Sequence, residues 1–207
     1  MAVAGSEHTR AYLAAVAALA HAIDPDQLDA MAAGLASVRA RDGRLFILGV
    51  GGGAGHASHA VNDFRKLCHF ESYAPTDNVS ELTARTNDDG WETSFTGWLE
   101  ISRLSQNDAL LVFSVGGGSR RHGVSLNLVN AIERARDAGA AIFGVVGSAE
   151  GTLAQLADIA IVVEPPAALR TPLVESFQAV LWHALVSHPD LAAQRGHWES
   201  VEQAATS

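Results

Sequence analysis

His59 and Asp63 stand four residues apart, and Glu175 and His183 stand eight apart. On an α-helix the first pair shares a face. Eight residues at about 100° each leave the second pair about 80° apart, on neighbouring faces. Two imidazoles and two carboxylates on two helices can converge in either of two ways. They can coordinate a metal, since zinc accepts both ligand types in tetrahedral geometry, or they can act as general acid and general base. Spacing alone leaves both open, beside the plainer reading of structural histidines and a solvated glutamate. His56 lies almost a turn from His59 and has weaker standing, and His8, His21, His69, His122, His188 and His197 show no comparable pattern. Glycine supplies a second kind of chemistry. Gly51, Gly52 and Gly53 close one apolar run, and Gly116, Gly117, Gly118 and Ser119 close another, each read as lying directly before a helix. Glycines let a backbone approach a ligand closely, and helix N-termini offer free N–H groups, which suits a phosphate. Ser114 and Ser119 add hydroxyl donors. Gly49-x-Gly51-x-x-Ala54 also reads as a loose dinucleotide fingerprint, but residues 68–72 make a poor second strand. A small phosphorylated ligand explains both turns better.

The elements that must position these residues follow from periodicity. Residues 11–23 are apolar, with Leu13, Val16, Leu19 and Ile23 at helical spacing. Glu7 and Arg10 make a poor cationic leader, so the stretch reads as an amphipathic packing helix. Asp24-Pro25-Asp26 stops it and starts a second helix to about Arg41, with Leu28, Met31, Leu35 and Val38 on one side. Apolar runs at 44–50, 108–114, 140–146 and 159–163 read as buried strands. Helices are expected at about 54–67, 80–85 and 91–104, from the second glycine turn through Arg136, and at 173–186. The tail after Pro189 reads as polar and mobile. Strands that are apolar throughout and alternate with helices indicate a parallel sheet covered on both faces. The expectation is one α/β domain over 1–207, with its core at about 8–187. The two N-terminal helices lie outside the α/β alternation, as in chains that pack helices against another subunit.

Composition narrows the class. The chain has 207 residues, is 48% hydrophobic and carries a net charge of −9, which argues against a broad basic face for nucleic acid. Its single cysteine, Cys68, excludes an internal disulfide framework and fits a reducing compartment, so a cytoplasmic location is expected. Lys66 is the only lysine, and there is no GK[ST] phosphate loop. No stretch approaches the ~20 apolar residues needed to span a bilayer.

Together these motifs resemble the sedoheptulose 7-phosphate (phosphoheptose) isomerases, single-domain members of the SIS (sugar isomerase) superfamily. Gly49-Val50-Gly51-Gly52-Gly53-Ala54, followed by His59 and Asp63, is similar to the family's GNGGSA…QHFAAE segment. Asn87-Asp88-Asp89-Gly90-Trp91 resembles its ND-x-G-aromatic motif. Ser114-Val115-Gly116-Gly117-Gly118-Ser119 stands where the family has STSGNS, and Glu175 with His183 resembles a helix carrying Gln and His eight residues apart. The similarity runs over about residues 8–187. It implies a five-stranded parallel sheet with flanking helices, and a homotetramer whose sites are shared between subunits. It further implies a zinc ion, or another divalent metal, held by His59, Asp63, Glu175 and His183. Asp88 would contact sugar hydroxyls, and Gly51, Gly52, Gly53, Ser114, Gly116 and Ser119 would bind substrate at its phosphate end. Asp63 replaces the family Glu, Glu175 its Gln, Val50 its Asn, Gly53 its Ser, and Val115 and Gly116 its Thr and Ser. Side-chain donors to sugar and phosphate are therefore fewer, as in a distinct subgroup.

The activity so implied is aldose–ketose isomerisation of sedoheptulose 7-phosphate to a heptose 7-phosphate through an enediol. Asp63 or Glu175 would be the base and His183 the partner acid/base, with ligand and base roles in competition. Two alternatives remain: a non-catalytic phosphosugar-binding sensor or scaffold, and an isomerase of a different sugar phosphate. A sugar-phosphate substrate and further copies of the chain are the expected partners, with neither nucleic acid nor membrane.

Overall fold

The structure is a computed structural model that describes residues 2–193. Five parallel strands form one sheet in the order β2-β1-β3-β4-β5: β1 (Leu45–Gly49), β2 (Ser72–Tyr73), β3 (Ala109–Ser114), β4 (Ala141–Val146) and β5 (Ile159–Val162). Every paired register is parallel. Burial of β1 at all five residues explains its unbroken apolar run, because each strand face meets helices. One face packs Leu45, Ile47, Leu111 and Phe113 against α2 (Pro25–Ala40), α3 (Gly52–Cys68) and α8 (Arg170–Ser187). The other packs Phe46, Leu48, Leu110 and Val112 against α5 (Ser94–Ile101), α6 (Leu126–Asp137) and α7 (Thr152–Leu156).

Strand order reverses between β1 and β3. Both glycine turns leave the sheet at this point, where an open parallel sheet has its crevice. At the opposite end, Asp108 closes the entry to β3. Its carboxylate accepts bonds from Arg44 Nε and Nη2 at 3.1 and 2.9 Å, and from the Ser105 amide at 2.9 Å.

Several expected boundaries shift for physical reasons. β2 is only two residues long and sits at the edge, as its poor sequence suggests. α4 (Val79–Asp88) runs past residue 85 and buries none of its residues, so core periodicity could not mark its end. Residues 91–104 break into a tight turn at Trp91–Thr93 followed by α5. α7 is too short to display a period. The second glycine turn does not lead directly into a helix: α6 starts at Leu126, after a small hairpin closed by mutual backbone bonds between Ser119 and Val124. Nor is all of the tail free. Leu191 is buried, and Arg39 Nη1 donates to its carbonyl and to that of Cys68. The rest of the expected polar tail, residues 194–207 with His197, lies outside the described residues.

The first helix, α1 (Ala2–Ala22), is longer than predicted and differently placed. Of its apolar stripe Leu19 is buried, while Leu13 remains 60% exposed. No helix among the described residues is long and apolar enough to cross a membrane.

Candidate active site

α3 begins where β1 ends, and α8 packs along it. The entry to α3 is tight. Gly51 takes φ +60°, a conformation that favours glycine, and a Cβ on Gly52 would stand 2.5 Å from the Glu175 carboxyl carbon. Gly52 therefore makes room for an acidic side chain arriving from α8. The Gly53 amide already donates to the Val50 carbonyl. Among the described residues, Gly51 and Gly52 are the two of this trio whose N–H groups have no acceptor.

About two and three turns into α3 come His59 and Asp63. His59 Nε2 lies 3.9 Å from Asp63 Oδ2, and His183 Nε2, from α8, lies 4.0 Å from the same oxygen. The two imidazoles are perpendicular, with centroids 5.6 Å apart. One donor atom from each of His59, Asp63 and His183 falls within 4.8 Å of the others. Asp63 is 4% exposed; its Oδ1 accepts from Asn62 Nδ2 at 2.8 Å, whereas its buried Oδ2 has no hydrogen-bond partner. A buried carboxylate oxygen left bare is costly and calls for a cation or a proton. His183 Nδ1 lies 2.8 Å from the Ala179 carbonyl. A carbonyl only accepts, so Nδ1 carries a proton and Nε2 is the ring atom left to face Asp63. Trp182, fully buried, sets its ring against that of His59 with centroids 4.7 Å apart. Two imidazoles and an unpartnered carboxylate oxygen form a donor set that fits a divalent cation.

Glu175 is half-buried beside Gly52 and is not one of the three. His56, also on α3, is near enough to feel both Glu175 and the two histidines. Burial pushes the His56 imidazole below its ordinary value, opposed by the Glu175 carboxylate and reinforced by the charges of His59 and His183. Sequence reasoning gave His56 little weight, yet positions i and i+3 adjoin on a helix, and that spacing from His59 was the available signal.

The remaining sequence-predicted residues lie elsewhere on the same end of the fold or at its margin. Ser114 ends β3, and its Oγ accepts from the Gly117 amide at 3.0 Å. Ser119 Oγ accepts from the His122 amide at 3.3 Å. Gly116 lines a cleft of about 630 Å³ bounded by the loops after β3 and β4 and by Arg170. Asp88 is the exposed last residue of α4, where it accepts from Asn87 Nδ2 at 2.7 Å.

No model of a known protein family matches the chain. Among individual proteins, it is 36% identical over 175 residues to the lincomycin biosynthesis protein LmbN of Streptomyces lincolnensis. That match covers 79% of this chain and 62% of LmbN, so the chain spans less than two thirds of that relative. It is 31% identical over 170 residues to the phosphoheptose isomerase of Nitratidesulfovibrio vulgaris, covering 80% of this chain and 77% of that one. The chain belongs to the phosphoheptose isomerase family. The phosphoheptose isomerase GmhA of Neisseria gonorrhoeae has the same fold, with a TM-score of 0.77 at 22% identity over 87% of this chain and 97% of that one. The phosphoheptose isomerase motifs of this chain thus occupy defined places: residues 49–54 at the turn from β1 to α3, residues 87–91 at the end of α4, residues 114–119 after β3, and positions 175 and 183 on α8.

Proposed function

We propose that the protein is an aldose–ketose isomerase that converts sedoheptulose 7-phosphate to D-glycero-D-heptose 7-phosphate. The observation that carries this reading, in a phosphoheptose isomerase relative, is the buried and unpartnered Asp63 Oδ2 between two imidazole nitrogens. Isomerisation removes a proton from C1 of the ketose, gives a 1,2-enediolate, and returns a proton to C2, while a hydroxyl proton moves from O1 to O2. Asp63 is the base for the carbon-bound proton, with Asn62 holding its other oxygen and so its orientation. His183, fixed at Nδ1 by Ala179, offers Nε2 for the proton that moves between the oxygens. Glu175, seated against Gly52, is the second carboxylate able to serve as base. His59, Asp63 and His183, with Glu175 as fourth ligand, would hold a divalent cation such as zinc, which would supply positive charge opposite the enediolate oxygens; an atom bound to the ion is not free to move a proton, so at Asp63, Glu175 and His183 the ligand and acid/base roles are in competition. The free Gly51 and Gly52 amides, Ser114, Gly116 and Ser119 face the phosphate end of the substrate, and Asp88 meets its hydroxyls.

α1 and α2 pack against further copies in a homotetramer, a role suited to a 21-residue helix that keeps Leu13 exposed. The single buried Cys68 and the expected substrate suit the cytoplasm. The test is incubation with sedoheptulose 7-phosphate before and after chelation. Turnover that is lost with chelator and restored by a divalent metal is expected. Absence of turnover in metal-replete protein overturns the reading, and stabilisation by the sugar phosphate without turnover makes it a sensor. A second reading, the same reaction on a different sugar phosphate, is favoured by the 36% identity to a protein named for lincomycin biosynthesis, and a substrate panel separates the two.

A further inference from the structure

The loop after β3 spends five of its backbone donors on itself. The Gly117 amide goes to Ser114 Oγ, and those of Ser119 and Val124 go to each other's carbonyls. Gly123 donates to Arg120, and His122 to Ser119 Oγ. No helix N-terminus follows directly, since α6 begins at Leu126 and its cap, Ser125, makes no side-chain bond. Positions 115 and 116 carry no hydroxyl, and the Ser114 and Ser119 hydroxyl oxygens already accept from amides within the loop. The hairpin instead carries charge at its tip. Gly123, at φ +65°, closes a four-residue turn that places Arg121 and His122 at its two central positions, on the rim of the 630 Å³ cleft. Arg170 lines the same cleft from the start of α8.

Arg120 is already engaged, by Glu133 and by Asn130. Arg121 and Arg170 have no hydrogen-bond or ion-pair partner among the described residues. Arg170 also opens a helix whose first turn holds no acidic residue, so its charge opposes the helix dipole unless an anion lies beside it. Three of the 14 basic residues of a chain with net charge −9 line this one cleft, against a single carboxylate, Glu150. A guanidinium fork matches a phosphate oxygen pair, and it holds its proton at any physiological pH.

We propose that Arg121 and Arg170 are the side chains that grip the phosphate monoester of the substrate, standing in for hydroxyl donors the loop lacks. This rests on the isomerase reading for the identity of the substrate but not for the anion site itself. Arg121→Gln and Arg170→Gln each raise KM for sedoheptulose 7-phosphate about tenfold, as expected for a partly exposed charge-assisted bond. They leave kcat nearly unchanged, and Arg→Lys at either position recovers part of the loss. Inorganic phosphate serves as an independent probe: it raises the Tm of the unaltered protein and not that of the double Gln variant, while Arg10→Gln, on α1, behaves as the unaltered protein does. Unchanged KM in an active enzyme overturns the arginine grip and leaves the isomerase reading standing. Phosphate stabilisation that depends on both arginines, in a protein without turnover, does the reverse. A phosphate effect equal in all variants, or absent from the unaltered protein, overturns the proposal outright.

Discussion

At the scale of single residues, the proposed chemistry concentrates on one oxygen. Asp63 Oδ2 is buried, bare and flanked by two imidazoles, so Asp63→Asn removes charge while keeping size. Loss of a placed acid or base costs about 10²–10⁴-fold in turnover, and Asp63→Asn and His183→Ala are each expected to lower kcat on this scale. The same variants lose bound metal, measured by elemental analysis of the purified protein. Near-normal turnover in both would remove the assignment. Gly52→Ala is a subtler probe. Its new methyl meets the far end of Glu175, a flexible side chain, so the variant folds but displaces that carboxylate and loses activity. Gly49→Ala is different, because its methyl would run into the backbone of Gly53 and the turn itself must yield. Circular dichroism and turnover together separate the two outcomes. Cys68 gives a negative control for reactivity. Burial pushes its thiol up to about 11, so little thiolate exists at neutral pH and alkylation awaits unfolding.

Among elements, the sheet separates stability from chemistry. The glycine turns occupy the carboxyl ends of β1 and β3, whereas Asp108 and Arg44 lock the other end. Burial alone would raise the Asp108 carboxyl, but bonds from Arg44 and Ser105 outweigh it and hold it below the usual carboxylate range. A depressed carboxyl stabilises the fold above its unfolded value, near 3.9, and that stability is lost as pH falls through the lower folded value. Asp108→Asn is therefore expected to flatten the acid limb of the stability curve below about pH 4. It also lowers stability at neutral pH by about 2 kcal/mol, through weakened bonds to Arg44; acid denaturation followed by fluorescence checks both. How much of this was legible beforehand depended on burial. Strands β1 and β3 to β5 announce themselves as unbroken apolar runs because both sheet faces are covered, and helices α2, α3 and α8 because core packing favours apolar residues along one side. α4 buries nothing and α7 is five residues long, so neither offers a period to read. At the site, the i,i+4 pair on α3 and the distant His183 were visible as spacing and family motif. The seat of Glu175 on Gly52, the hairpin at residues 119–124 and the place of His56 depend on how loops and helices meet in three dimensions, which one-dimensional spacing does not encode.

For the molecule as a whole, the proposed cation site couples binding to folding. A metal that joins His59 and Asp63 on α3 to His183 on α8 binds only the folded chain, so saturating it at about 100-fold over Kd adds about 2.7 kcal/mol. Zinc is expected to raise the Tm of the protein stripped by chelator and to leave Asp63→Asn unmoved, as read by calorimetry. The proposed tetramer predicts a mass of roughly four times 21.7 kDa by light scattering, and Leu13→Arg on α1 is expected to lower it. The ligand set also has a direction in time. α3 leaves the ribosome before α8, the last of the described elements, so a nascent chain carries His59 and Asp63 without their third companion until α8 is made. Products that stop short of α8 would lack the third ligand of the proposed site, and they are expected to be blind to the ion and inert towards sugar.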